Sequence, residues 1–112
     1  MQMRRKYLAL FMTSIAAIGA IAAAPPKPDG AQIVHEGNGA GAPACMSCHG
    51  PTLGGGGAPA IAGKPAAYIV SRLEHYASPQ GHNPAMRQVA TALSPQERVA
   101  VADYIASLPA HP

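Results

Sequence analysis

The chain has 112 residues, of which 48% are hydrophobic and 12% charged, and its formal net charge is +3. That excess comes from three N-terminal residues, Arg4, Arg5 and Lys6, because the rest of the chain has as many acidic as basic side chains. A chain of this length has room for one domain. The absence of net charge beyond residue 6 excludes the strongly basic surface that is typical of nucleic-acid binding.

The N-terminal segment predicts an export signal. A positive start, Arg4-Arg5-Lys6, precedes an apolar stretch and then the small residues Ala22-Ala23-Ala24. This order is typical of a secretory signal peptide. The alternative is an uncleaved membrane anchor, although the apolar stretch is short for a span of about 20 residues. We predict a signal peptide at 1–24, one domain at 25–112 and a periplasmic location, with membrane attachment only if the signal is retained.

The first half of the predicted domain contains helices separated by a long loop. Asp29 is placed to cap a short helix that ends near Glu36, where several glycines follow. Residues 50–64 are rich in glycine and proline and predict a loop. The next helix opens at Pro65, a residue favoured in a first turn, and its apolar and aromatic positions recur at helical spacing up to Ser78.

Two more helices are predicted towards the C-terminus. Pro84 starts a short helix whose apolar face includes Met86 and Leu93. The last helix begins with Ser94-Pro95-Gln96-Glu97, which is a capping box with proline in the first turn, and Pro109 stops it. No stretch alternates with a period of two. The sequence therefore predicts an all-α fold of four to five short helices joined by long loops.

The predicted domain is poor in large apolar side chains. Beyond residue 24 it has no Trp and no Phe, and three tyrosines. A domain this small is only marginally stable unless a disulfide or a cofactor supplements its core. Long loops in a small domain also need something to pack on. Both observations indicate a buried prosthetic group.

The strongest motif is Cys45-Met46-Ser47-Cys48-His49, because Cys-x-x-Cys-His is the attachment signature of c-type haem. Two thiols at this spacing reach two neighbouring vinyl groups of one macrocycle, and the next histidine is the proximal iron ligand. A disulfide between Cys45 and Cys48 would close too small a loop to stabilise the fold much. Two alternatives are a thioredoxin-like redox pair, which needs a βαβ context, and a zinc site completed by His75 or His82.

The second axial ligand of such a haem can be sought among the methionines. Four of the five lie in the export signal or between the two cysteines: Met1, Met3, Met12 and Met46. The remaining one is Met86, and its thioether would complete His/Met ligation, which raises the reduction potential and favours plain electron transfer. The alternatives are that Met86 fills the core of its helix and that His82 competes for the iron.

Four segments occur in a characteristic order along the chain: Gly30-x-x-Ile33-Val34-x-x-Gly37, Ala44-Cys45-x-x-Cys48-His49-Gly50, Gly57-Ala58-Pro59-Ala60-Ile61-Ala62-Gly63, and Asn83-Pro84-x-Met86 leading to Asp103-Tyr104-Ile105-Ala106-Ser107-Leu108. With these segments the chain resembles class I cytochromes c over residues 29–109. It is similar to the small periplasmic mono-haem proteins and to one half of the di-haem cytochromes c.

The resemblance implies a cytochrome c fold, in which short helices and long loops wrap around one covalently bound haem c. By position, Cys45 and Cys48 would be the thioether anchors, and His49 and Met86 the axial iron ligands. The carbonyl of Pro59 would accept the other ring N–H of His49.

Two further features follow from the resemblance. The first and last helices would cross at a small residue facing an aromatic one, for which Gly30 or Gly37 against Tyr104 would fit. Tyr68 and Arg72 match positions near the haem carboxylates.

The function implied is that of a periplasmic one-electron carrier that docks transiently with redox protein partners and is not an enzyme. Because the domain has almost no net charge, weak electrostatic steering towards those partners is expected. One alternative is a haem-bearing subunit of a larger dehydrogenase or oxidase complex. Another is a peroxidase or ligand-sensing haem protein, if Met86 is not bound to iron.

Overall fold

The computed structural model describes residues 27–110, and the predicted signal peptide lies outside this range. These residues form five helices and no strand: α1 (Gly30–Glu36), α2 (Met46–His49), α3 (Ala66–Ala77), α4 (Pro84–Ala92) and α5 (Pro95–Ser107). The all-α class and the number of short helices are thereby confirmed. Among the described residues, no helix has the length and apolar character needed to cross a bilayer.

Local side-chain caps explain where α1 and α5 begin. The Asp29 carboxylate accepts a hydrogen bond from the backbone N–H of Gln32, at 3.1 Å. At the start of α5 the Ser94 hydroxyl accepts from the Glu97 N–H at 3.1 Å, and the Glu97 carboxylate accepts from the Ser94 N–H at 2.8 Å. This reciprocal pair is the predicted capping box, and it satisfies two N–H groups that have no partner within the helix.

The helices pack in the spatial order α1, α5, α3, α4. Helix α5 contacts both α1 and α3, and α3 also contacts α4. Helix α5 therefore links α1 to the pair formed by α3 and α4. Four large side chains are almost completely buried where these elements meet: Val34, Leu53, Val101 and Ile105. All but one of them come from α1 and α5, so the crossing of these two helices forms the centre of the core.

The crossing of α1 and α5 depends on Gly30. A Cβ atom at this position would overlap the carbonyl oxygen of Ala100 and lie 3.1 Å from the Val101 nitrogen. Of the two expected glycines, Gly30 therefore makes the crossing, and it meets backbone rather than the ring of Tyr104. Gly37 instead packs against the loop after α1, where the nearest atom is the carbonyl oxygen of Ala42.

Tyr104 joins the same two helices at another point. Its hydroxyl lies 2.9 Å from His35 Nε2, and the two rings meet edge to face with their centroids 5.8 Å apart. A side chain from α1 and one from α5, 69 positions apart in sequence, are thus held together at the surface.

Candidate haem site

The Cys-x-x-Cys-His motif folds as a single helical turn. The Cys45 carbonyl accepts hydrogen bonds from the backbone N–H groups of Cys48, at 3.3 Å, and His49, at 3.0 Å. Residues three and four positions apart share a face of such a turn. The Cys45 thiol is half-buried, the Cys48 thiol is exposed, and both are free. The turn therefore offers two thiols and the imidazole from one side.

The environment of the thiols bears on the alternatives to haem. Burial raises the pKa of the Cys45 thiol above its usual value, an effect that a backbone hydrogen bond partly offsets. Among residues 27–110 no three His, Cys, Asp or Glu side chains are placed to share a metal ion, so the described residues give the zinc alternative no cluster. The described part of the chain also has no strand that could place the motif in the βαβ context of a thioredoxin-like pair.

The glycine-rich loop folds back onto the end of the motif turn. The N–H of Gly55 donates to the carbonyl of His49 at 3.0 Å, and the N–H of Ala58 donates to the carbonyl of Cys48 at 3.1 Å. Gly50, with a φ of +91°, turns the chain, and a Cβ atom there would lie 2.5 Å from the Gly55 carbonyl oxygen. The loop predicted at residues 50–64 is thus present, and its glycines permit a close backbone contact.

This loop brings the carbonyl of Pro59 to the ring of His49. His49 Nδ1 lies 2.7 Å from the Pro59 carbonyl oxygen, and only 9% of the His49 surface is exposed. A carbonyl oxygen can only accept, so Nδ1 carries the proton and donates it in this hydrogen bond. In the neutral imidazole the other ring nitrogen, Nε2, then has no proton and can bind a metal.

Met86 lies in the first turn of α4, half-buried and packed against the core. Its backbone N–H donates to the Asn83 side chain at 3.1 Å, so the cap of α4 fixes the residue that carries the thioether. Pro84 occupies the first position of the same turn, where its ring fixes φ near the helical value. His82, the predicted competitor, is exposed in the loop before this cap.

Two residues that the sequence analysis did not single out hold the loops of the domain in place. Leu53 is 1% exposed and adopts a φ of +57°, and its carbonyl accepts from the N–H groups of Ile61 and Ala62. Asn38 donates to the Ala92 carbonyl at 2.7 Å and to Glu97 at 3.3 Å. A lone leucine in a glycine-rich segment was a signal of burial for Leu53, whereas the sequence holds no comparable signal for Asn38.

The donor set fits one c-type haem. Cys45 and Cys48 present two thiols from one turn, and His49 keeps Nε2 available while Nδ1 is bonded to the Pro59 carbonyl. A small all-helical domain with this turn has the form of a class I cytochrome c. The family model described as Cytochrome c matches residues 28–109, and the chain belongs to this family. As a member it binds one covalent c-type haem, with its iron, and takes part in haem-based electron transfer.

Solved structures support this membership. The reduced recombinant cytochrome c4 from Pseudomonas stutzeri is 32% identical with a TM-score of 0.64, over 71% of this chain and 46% of that one. Cytochrome c4 from Acidithiobacillus ferrooxidans is 33% identical with a TM-score of 0.67, over 70% of this chain and 48% of that one. The chain therefore spans about half the length of these proteins, as expected for similarity to one half of a di-haem cytochrome.

Two larger relatives are named for thiosulfate dehydrogenase. The thiosulfate dehydrogenase of Marichromatium purpuratum, in its as-isolated form, is 33% identical with a TM-score of 0.65, over 84% of this chain and 23% of that one. A thiosulfate dehydrogenase electron acceptor from Stutzerimonas stutzeri (strain A1501) is 39% identical over 70 residues, which are 60% of this chain and 32% of that protein. This chain thus spans a third or less of the length of either relative.

Proposed function

We propose that this chain is a one-electron carrier whose haem c is held by Cys45 and Cys48 and ligated axially by His49 and Met86. The observation that carries the proposal is the 2.7 Å hydrogen bond from His49 Nδ1 to the Pro59 carbonyl. This bond fixes the ring and its tautomer, so that Nε2 is available as the proximal ligand. When bound, the haem supplies one-electron exchange at its iron.

Met86 would supply the second ligand to the haem iron. The hydrogen bond from its backbone N–H to the Asn83 side chain holds the first turn of α4, from which the thioether extends. His/Met ligation raises the reduction potential. With both axial positions filled, no open coordination position remains for a substrate, and we therefore propose that the chain is not an enzyme.

The proposed location is the periplasm, reached through a cleaved signal peptide at residues 1–24. The basic start and the apolar stretch of that segment support it. The partners would be redox proteins that dock transiently. This suits a carrier, which must bind and release a donor and an acceptor in turn.

A second candidate is a haem-bearing subunit held in a larger complex. It is favoured by the two relatives named for thiosulfate dehydrogenase, in which the matching region is 23% and 32% of the whole. Stable co-purification of the tagged chain with a larger dehydrogenase or oxidase would support this candidate. Purification as a free holoprotein that reduces or oxidises a partner with turnover would support the carrier.

The experiment that tests the proposal is the visible spectrum of the protein exported in a host with haem-attachment machinery. We expect a c-type reduced spectrum and, in the ferric protein, the weak far-red band of thioether–iron bonding. The band should vanish in Met86→Ala and persist in the matched variant Met46→Ala, because Met46 lies between the two cysteines.

Two other outcomes would contradict parts of the proposal. A haem spectrum without the far-red band in the unaltered protein would remove Met86 as ligand and favour the peroxidase or ligand-sensing alternative, which carbon monoxide binding to the reduced protein would test. Absence of haem despite successful export would contradict the haem site itself.

A further inference from the structure

The charged side chains of this nearly neutral domain are distributed unevenly over its helices. Four of the five acidic residues beyond the signal lie at or on α1 and α5: Asp29, Glu36, Glu97 and Asp103. Three of the five basic residues lie at or on α3 and α4: Lys64, Arg72 and Arg87. The other two, Lys27 and Arg98, lie before α1 and on α5, so the α1 and α5 end has two more acidic than basic residues. Since α1 and α5 pack together and α3 packs on α4, the two groups occupy different ends of the helical order.

Lys64, just before α3, and Arg72, on α3, form a stripe with two tyrosines of that helix. Lys64 Nζ lies 5.5 Å from the ring centre of Tyr68, and the Arg72 guanidinium lies 5.0 Å from that of Tyr76. Arg72 also donates to the Tyr76 hydroxyl at 3.3 Å. Tyr68, Arg72 and Tyr76 are spaced four apart and share one face of α3. Lys64 contacts the first of these rings, so cations and aromatic rings alternate along this side.

The one acidic residue of α3 does not neutralise this stripe. Glu74 is two positions from Arg72, and residues two apart do not face each other on a helix. No ion pair joins a basic to an acidic side chain of α3 or α4 within the described residues, where Arg87 donates to the Ser78 carbonyl at 2.8 Å. The net charge of this end is therefore positive, even though the domain sums to zero.

We propose that the face defined by Lys64, Tyr68, Arg72, Tyr76 and Arg87 is the docking surface for an acidic patch on a redox protein partner. Tyr68 is 49% exposed, and Tyr and Arg are the residue types enriched in protein interfaces. Arg87, at the α4 end of this face, lies in the same first turn of α4 as Met86, and α3 packs on α4.

The inference rests on the proposed function, since it needs the haem to lie against Met86 for electrons to leave near this face. It differs from the expectation of weak steering that follows from the net charge, and the test below decides between the two. A domain without net charge can still be oriented by a partner's electric field if one end is positive and the other negative. Charges clustered near the reactive group then raise the rate of encounter with an oppositely charged partner. The encounter rate then depends on the charge of this face rather than on the net charge of the domain.

The test uses the reduced holoprotein and two small oxidants of opposite charge, hexacyanoferrate(III) and tris(phenanthroline)cobalt(III). We expect the rate with the anion, followed by stopped flow, to fall as salt is added, and the rate with the cation to rise or stay constant, because salt screens exposed charges. Lys64→Glu should slow the reaction with the anion at low salt by about threefold or more and flatten its salt dependence. Lys64→Gln should do so to a smaller extent.

The matched control is Lys27→Glu, which makes the same change of charge at an exposed lysine next to α1. It should leave the rate with the anion nearly unchanged. Equal effects of Lys27→Glu and Lys64→Glu would overturn the inference, because net charge would then govern the rate. A wild-type rate that is independent of salt would also overturn it, since a haem carboxylate or another group would then neutralise the face. The far-red ferric band, checked in every variant, separates these outcomes from a failure of His/Met ligation.

Discussion

Gly30 and Ala100 bring the first and last helices of the domain into backbone contact. The space between them does not admit a methyl group, because a Cβ atom on Gly30 would overlap the Ala100 carbonyl oxygen. Val34 and Val101, both 1% exposed, lie on the same two helices. The glycine thus sets the distance at which the two helices enclose the core that supports the motif turn.

We expect Gly30→Ala to lower the free energy of unfolding of the holoprotein by about 1–3 kcal/mol, the usual cost of overpacking. The sign is diagnostic, because Gly→Ala inside a helix otherwise stabilises by about 1 kcal/mol. Chemical denaturation followed by the haem absorbance measures the change. The control is Gly57→Ala, since the nearest atom to a Cβ there, the Cys48 carbonyl oxygen, is 4.0 Å away. A Gly30→Ala protein as stable as the wild type would show that the crossing can relax.

The helices of this domain could be predicted because their ends are encoded locally. Asp29 and Ser94 accept from N–H groups three residues later, and proline occupies the first turn of both α4 and α5. Such signals need no knowledge of the tertiary structure. The Cys-x-x-Cys-His motif is equally local, which is why the haem could be inferred from sequence as well.

The contacts that shape the site could not be predicted in the same way, because they join distant backbone atoms. Gly55 and Ala58 donate backbone hydrogen bonds to the motif turn. Apart from the glycines, no residue type in the loop indicates these bonds. Asn38 contacts the Ala92 carbonyl across 54 positions. The choice between Gly30 and Gly37 at the helix crossing was open for the same reason, since it depends on where α5 lies.

The hydrogen bond between His49 and Pro59 should influence the reduction potential. A strong bond at Nδ1 makes the imidazole a better electron donor, which stabilises ferric iron and lowers the potential. Pro59→Gly frees the backbone at this carbonyl, so we expect a weaker bond and a higher potential in spectroelectrochemical titration. Pro59→Ala keeps more of the backbone restriction and should shift the potential less. Equal potentials in all three proteins would contradict a role for this bond in tuning the iron.

The contact between His35 and Tyr104 should stabilise the fold without affecting the haem. Tyr104→Phe removes the hydroxyl that lies 2.9 Å from His35 Nε2 but keeps the edge-to-face ring contact. We expect a loss of about 0.5–1.5 kcal/mol in the free energy of unfolding, the usual value for one hydrogen bond. His35→Ala combined with Tyr104→Phe should cost less than the sum of the two. The control, Tyr68→Phe, should change stability little; additivity in the double variant would mean that the two side chains act independently.

The cap of α4 should matter for iron ligation, because Asn83 holds the N–H of Met86 itself. Asn83→Ala should lower the free energy of unfolding by about 1 kcal/mol, as the loss of an N-cap usually does. Ser94→Ala removes the corresponding cap of α5 at a similar cost. We expect only Asn83→Ala to weaken the far-red ferric band and to let the reduced protein bind carbon monoxide, because only there does the frayed turn carry the thioether. If both variants lose the band equally, global stability rather than the local cap holds Met86 on the iron. If neither loses it, the thioether–iron bond keeps the first turn in place without the cap.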